Sequence, residues 1–376
     1  LISGGSQPLA NIQAAVEAVL SEFLAAKRAF FLQAAPQSVE AIDELTRSIF
    51  AGGKRLRPGF CYCGFIAGGG PHGPEILAAA ASLELLHTLA IVHDDVIDAS
   101  PLRRAEPSTF VHIARQRRGA GVDEDAAKQA GVGAAILVGD LSLVLSDALF
   151  VESGFPADAL ARAWKPLTDM RLAAIAGQYL DAALPGRSGF TDLDPENARR
   201  IARLKTARYS IEGPLLFGAA LAGGGPGLSR ALSAFGTALG EAFQIADDLE
   251  AFGAPEAAHE TDLRLGRPTL LVAEALRLAA PQDRELISAA WGNRAASDSD
   301  LEHAEQAIHR SGAPGECIRL VRSLVAEAKK TLKTFATEFA DESALVMLDA
   351  MADLISNSIG DAIESPQRTS TGKEPA

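Results

Sequence analysis

Apolar residues recur at helical spacing along almost the whole chain. Residues 76–98, 132–151, 157–184, 228–252, 269–280 and 320–340 each carry apolar residues at the period of an α-helix. Residues 195–221 add end signals. Asp194 can cap, Pro195 suits the first helical position and Glu196 favours the first turn. Gly213-Pro214 predicts a kink or stop, and Gly223-Gly224-Gly225-Pro226 predicts an end. Residues 76–98 and 228–252 are apolar on most faces, which predicts helices enclosed by other helices. No convincing period-two strand and no short tandem repeat is present. Loops are predicted at 68–74, 100–108, 119–125, 185–194, 223–227, 253–268 and 281–299. None has the composition of a flexible interdomain linker. The polar tail, residues 365–376, is expected to be disordered.

Charge narrows the function classes. The chain has 48 acidic and 35 basic residues, a net charge of −13, which argues against a nucleic-acid binder. Phosphorylated small molecules stay open, because a few local cations or metal ions serve them. The most apolar stretch, residues 131–149, is broken by Asp140 and Asp147, so no transmembrane segment is expected. The first residues, Leu1-Ile2-Ser3-Gly4-Gly5, show no basic n-region and no signal-peptide h-region. Cys61, Cys63 and Cys317 make no disulfide framework and read as small buried apolar residues, which fits a reducing cytoplasm.

The sharpest chemistry is His93-Asp94-Asp95-Val96-Ile97-Asp98, at the end of an apolar helix. Asp94 and Asp98 are four apart and share a helix face. Carboxylates gathered at a buried helix end repel unless neutralised, and Mg²⁺ commonly bridges such carboxylates to substrate phosphates. A second pair, Asp247-Asp248, ends another long apolar helix, with Gln244 on the same face. Cations accompany both: Lys54 and Arg57 in Gly52-Gly53-Lys54-Arg55-Leu56-Arg57-Pro58, then Arg103-Arg104, Lys205-Thr206 and Arg267-Pro268-Thr269. Any one of these is commonly a solvated surface charge. Together they describe chemistry for a polyanion such as diphosphate.

The motif set then resembles the trans-isoprenyl diphosphate synthases of the polyprenyl synthetase family, and most of all the geranylgeranyl diphosphate synthases. Besides the segments above, the resemblance rests on Glu84-Leu85-Leu86-His87, Arg103-Arg104-Ala105-Glu106-Pro107-Ser108 and Leu137-Val138-Gly139-Asp140. It rests further on Gly177-Gln178-Tyr179-Leu180-Asp181, Lys205-Thr206-Ala207, Phe243-Gln244-Ile245-Ala246-Asp247-Asp248-Leu249 and Asp262-Leu263-Arg264-Leu265-Gly266-Arg267-Pro268-Thr269. These stand in the family's order between residues 50 and 275.

The resemblance implies an all-α, single-domain bundle of about ten or more helices around a deep central cavity. It places a polyprenyl synthetase domain over residues 1–364, usually as a homodimer. It implies that Asp94, Asp95, Asp98 and Asp247 hold Mg²⁺, three ions once diphosphate is bound, with Asp248 and Lys205 also catalytic. Arg103, Lys205, Thr206, Gln244 and Arg267 would line the allylic site, for dimethylallyl, geranyl or farnesyl diphosphate. Lys54, Arg57, His87 and Arg104 would take the diphosphate of isopentenyl diphosphate. Thr88, Leu89 and Ala90, about one turn before Asp94, would set product length, and the small Ala90 favours C20.

Four departures from the family pattern stand out: Ala251 where a third acidic residue is usual, no Lys in Glu256-Ala257-Ala258-His259-Glu260, Arg267 where Lys is commoner, and Ala134-Ala135 where an Asn is frequent. They motivate the alternative of a non-catalytic or weakly active partner subunit of a heteromeric synthase. A terpene cyclase shares the metal logic but does not need Lys54, Arg57 and Arg104. A di-iron oxidase would use the ExxH spacings Glu84/His87 and Glu256/His259.

Overall fold

The helical period is realised throughout the residues that the computed structural model describes, 6–104, 106–183, 193–253 and 262–363. The helices are α1 (Ser6–Ala34), α2 (Val39–Phe50), α3 (Leu56–Ala67), α4 (Pro74–Asp98), α5 (Thr109–Gly119), α6 (Glu124–Val151), α7 (Ala157–Ala183) and α8 (Pro195–Ala202). A π-helix (Arg203–Glu212) follows, then α9 (Gly213–Ala222), α10 (Pro226–Gly253), α11 (Asp262–Leu265), α12 (Leu270–Leu278), α13 (Pro281–Ala290), α14 (Asp298–Ser311), α15 (Ala313–Thr334) and α16 (Glu342–Ile363). The fold is all-α apart from a two-stranded hairpin, β1 (Leu102–Arg103) and β2 (Glu106–Pro107), paired antiparallel with Arg103 opposite Glu106. The chain forms two compact units. One comprises Leu1–Ala173, Arg208–Gly236 and Leu332–Leu348, the other Ala174–Ala207, Thr237–Thr331 and Asp349–Ala376.

In the first unit α4 packs along α6, and small residues set the separation. Ser142 Oγ donates to the Leu85 carbonyl at 2.6 Å and Ser146 Oγ to the Ser82 carbonyl at 2.8 Å. Both hydroxyls are buried, and each finds its acceptor on the facing helix, so neither is left unsatisfied. Helices α3 and α9 approach closely enough that a side chain on Gly218 would collide with the Cys61 carbonyl. Cys61, Cys63 and Cys317 are all free thiols and buried. In the second unit, α12 starts on Thr269, whose hydroxyl accepts from Val272 N at 3.3 Å. A capping box of Ser297 and Asp300 opens α14.

The structure corrects several sequence expectations. Residues 281–290, read as loop, form α13, because Pro281 fits its first turn and Ile287 and Ala290 bury one face. Helix α6 starts at Glu124, eight residues earlier than the apolar run suggested, since the Asp123 side chain accepts from Ala126 N at 3.1 Å. The stretch 100–108 contains the hairpin, too short for a period-two pattern to register. No transmembrane segment was expected, yet three helical stretches, Leu9–Ala34, Pro74–Asp98 and Glu124–Val151, are long and apolar enough to cross a bilayer. In the first unit α4 packs against both α1 and α6, which gives part of that apolar character a packing role. The tail 365–376 and the loop 256–260 lie outside the described residues.

Gly218→Ala should therefore cost about 1–3 kcal/mol through overpacking between α3 and α9. Urea unfolding should show it as a lower midpoint at unchanged slope.

Candidate active site

The first acidic cluster is made by the way α4 ends. Ala99 turns the chain with φ 59°, and Ser100 N donates to the Asp95 carbonyl at 2.9 Å. Asp94 and Asp98 are left half-buried, while Asp95 is only 2% exposed. Arg103 from β1 reaches back over this end. Its Nε and Nη2 both donate to Asp95 Oδ1, at 2.9 and 2.5 Å, and Nη2 donates to Asp94 Oδ2 at 3.4 Å. Burial pushes the Asp95 carboxyl above its usual range. Arg103 pulls against this, while Asp94 and Asp98 add to the rise. His93 lies in a notch over Gly139 of α6, with Nε2 3.1 Å from the Ile136 carbonyl, so this end of α4 is fixed to α6.

The basic set of the first unit has a different character. Lys54 and Arg104 are exposed, and Arg104 donates to the Gly52 carbonyl. Arg57 stacks on Tyr209 at 4.6 Å and donates from Nη2 to Ser210 Oγ at 2.6 Å. The His87 ring lies 6.2 Å from that of Tyr209, and Tyr209 Oη donates to the Leu86 carbonyl at 3.2 Å. Two atoms here are shielded from water yet have no hydrogen-bond partner, Arg57 Nε and His87 Nδ1. Burial, then the charges of Arg57, Arg104, Arg103 and Arg55, hold His87 well below its usual value, so its imidazole is neutral at pH 7. Each orphaned buried polar atom costs about 1–3 kcal/mol, and an oxyanion would satisfy both.

The second unit gathers the remaining residues. Lys205 and Thr206 lie in the π-helix, a rare geometry that recurs at functional sites. Lys205 pairs with Asp181 of α7. A side chain on Gly177 would strike the Lys205 backbone, so the bare glycine permits this contact. Thr206 Oγ1 donates to Gln244 Oε1, and Gln244 Nε2 donates to Asp248 Oδ1 at 2.6 Å. Asp247 is exposed beside it on α10. Burial pushes the Asp248 carboxyl well above its usual range. Asp262, Asp247 and Asp181 add to this, and Gln244 opposes it. Burial raises Asp262 as well, against the pull of Arg267, whose Nη1 donates to Asp262 Oδ1 at 3.2 Å. The Trp291 indole fixes the Arg267 carbonyl at 3.1 Å.

Asp181 and Asp262 complete this acidic group, although only their neighbours were singled out from the sequence. Their signal was present: each lies in a segment that carries the family resemblance. Glu84 was one candidate ligand of a di-iron site. Here it is ion-paired with Arg55 at 2.9 Å, which removes half of that reading, and Glu256 and His259 lie outside the described residues. Thr88 is buried with its hydroxyl turned back to the Glu84 carbonyl at 2.9 Å, and Leu89 and Ala90 are half-buried.

Magnesium fits the donor set. The ligands on offer are hard carboxylate oxygens, with Asp95 buried, Asp94 and Asp98 half-buried and Asp247 exposed. Among the described residues, no three carboxylate, imidazole or thiolate groups stand together as a ready cage. That suits an ion held by one or two carboxylates plus phosphate oxygens.

Comparison with known proteins agrees with this chemistry. The polyprenyl synthetase family profile matches residues 39–308. Geranylgeranyl diphosphate synthase of Sulfolobus acidocaldarius is 30% identical over 281 residues, 73% of this chain and 78% of that protein. Geranylfarnesyl diphosphate synthase of Aeropyrum pernix is 30% identical over 308 residues, 80% of this chain and 89% of that protein. A geranylgeranyl pyrophosphate synthase from Corynebacterium glutamicum, complexed with isoprenyl diphosphate and magnesium, superposes with a TM-score of 0.84 at 32% identity, covering 92% of this chain and 98% of its own. A decaprenyl diphosphate synthase from Rhodobacter capsulatus gives 0.76 at 25% identity, covering 94% and 98%. With the fold, the motif order and these relatives in agreement, the chain belongs to the polyprenyl synthetase family and is by class a trans-isoprenyl diphosphate synthase.

Proposed function

We propose that this chain condenses isopentenyl diphosphate with an allylic diphosphate to make a trans-polyprenyl diphosphate, with the C20 geranylgeranyl diphosphate as main product. The observation that carries this reading is the pair of orphaned atoms, Arg57 Nε and His87 Nδ1, in a basic group separate in composition from the acidic sets. A second anion site is what condensation of two diphosphates needs and a cyclase does not. Lys54, Arg57, His87 and Arg104 bind the diphosphate of isopentenyl diphosphate. Arg103, Lys205, Thr206, Gln244 and Arg267 bind that of the allylic partner. Asp94, Asp95, Asp98 and Asp247 hold magnesium, three ions with diphosphate present, and Asp248 is also catalytic. Magnesium, when bound, neutralises the diphosphate and stabilises the charge that develops on it as the allylic C–O bond breaks. Arg103 and Lys205 add fixed positive charge to the same oxygens. Each is held in place by a carboxylate, Asp95 and Asp181 respectively. With water excluded, the double bond of isopentenyl diphosphate captures the allylic cation, and the proton then lost passes to the released diphosphate.

We also propose a homodimer. Helix α6 presents Leu137, Val144 and Val151 at seven-residue spacing, and α7 presents Leu172, Ile175 and Tyr179, all of them exposed. A second copy of the chain would cover these stripes.

Purified protein given magnesium, farnesyl diphosphate and isopentenyl diphosphate should form geranylgeranyl diphosphate, read by mass spectrometry. Ala90→Phe should shift the product toward C15 when geranyl diphosphate is the primer. An unchanged product distribution would remove this helix turn as the length determinant, and no elongation from any primer would remove the synthase reading. Light scattering should give twice the chain mass, and Leu137→Glu with Val144→Glu should halve it. A monomeric wild type would contradict the dimer.

A further inference from the structure

The loop that carries Lys54 runs mostly through the left-handed half of backbone space. Gly52 has φ 108°, Gly53 φ 132° and Arg55 φ 49°. Three of four consecutive residues thus lie in the left-handed half of conformational space, and one of them carries a side chain. The two glycines adopt this freely, so the cost falls on Arg55, whose surroundings must hold it there.

The Arg55 side chain supplies that constraint. It is 4% exposed, and its donors are spent inward. Nε donates to Glu17 Oε1 on α1 at 3.1 Å. Nη1 donates to Glu84 Oε2 on α4 at 2.9 Å and to the Gly52 carbonyl at 3.4 Å. Nη2 donates to the Ile49 carbonyl near the end of α2 at 2.8 Å. One guanidinium therefore ties α1, α2, α4 and the loop together. Its own carbonyl accepts from Gly59 N at 3.1 Å and begins α3, which brings Arg57 into position. Glu84 is as buried as Arg55, so the pair is a desolvated charge couple in which removing one partner strands the other.

The same contact reaches Arg104. The Gly52 carbonyl accepts from both Arg55 and Arg104. A side chain on Gly53 would meet Arg104 Nη2 at 3.2 Å and Arg55 Nη1 at 3.3 Å, so the two guanidiniums flank one stretch of bare backbone. Loosening Arg55 would shift Lys54, Arg57 and the acceptor of Arg104 together.

We propose that Arg55, held by Glu84 and Glu17, is a positioning residue that sets the diphosphate-binding loop for isopentenyl diphosphate without touching the substrate. This rests on the reading that Lys54, Arg57, His87 and Arg104 take that diphosphate. Glu84 has a second role in the same device. It is a buried negative charge paired with Arg55, and its field also reaches Arg104, where it opposes the repulsion of the neighbouring arginines.

The test is steady-state kinetics with magnesium on Arg55→Lys, Glu84→Gln, the double variant and Glu17→Gln. Arg55→Lys keeps the charge but loses the planar fork. Arg55→Lys and Glu84→Gln should each raise KM for isopentenyl diphosphate about tenfold, with kcat and the allylic KM within about threefold. The double variant should be no worse than the poorer single one, because both changes break the same contact. Glu17→Gln, at the more exposed arm, should keep the fold and raise the same KM about threefold. Wild-type elongation with unchanged KM values in all variants would overturn the positioning role alone. So would a parallel loss of kcat and both KM values that tracks a fall in melting temperature. A wild type that elongates no primer would overturn the substrate reading first, and this proposal with it.

Discussion

Buried carboxylates that repel one another need cations, and this constraint organises both units. In the first, Asp95 is enclosed beside Asp94 and Asp98, and Arg103 is the cation that the hairpin brings to it. In the second, burial and then the neighbouring carboxylates, Asp181 among them, raise the proton affinity of Asp248 and Asp262, and Lys205 and Arg267 pair with Asp181 and Asp262. Protein cations alone leave the acidic ends raised in pKa, a state that costs folding energy and that a divalent ion bridging to phosphate relieves.

Much of the local architecture holds these charges in place. The hairpin exists to return Arg103 over the end of α4, and it is too short to be stable alone. The π-helix brings Lys205 to Asp181 and Thr206 to Gln244, and the bare Gly177 lets the backbones come close. Helix α4 is apolar because it packs against α1 and α6, which lets its last turn carry three aspartates. In each case a residue with little chemistry of its own fixes one that has it.

The long helices were legible because apolar periodicity over twenty residues is a strong signal, and α4 and α10 appear within two residues of their expected bounds. The charged motifs were legible because acidic clusters end long apolar helices and basic residues gather in the segments around them. Short elements were not. Helix α13 was hidden under a prolyl start in a polar segment, and the hairpin has two residues per strand. The pairings were also hidden. Nothing in Gly52-Gly53-Lys54-Arg55 says that the second cation turns inward to Glu84 while the first stays exposed. Asp181 and Asp262 needed the fold to bring α7 and α11 to Lys205 and Arg267.

If substrate phosphate, rather than a ready protein cage, completes these acidic sets as proposed, magnesium and diphosphate must bind together. Titration calorimetry of magnesium into the protein, with and without inorganic diphosphate, tests it most directly. The account predicts weak binding, near the millimolar range, to protein alone, and binding at least about tenfold tighter once diphosphate is present. Tight magnesium binding to the protein alone, unchanged by diphosphate, would contradict it.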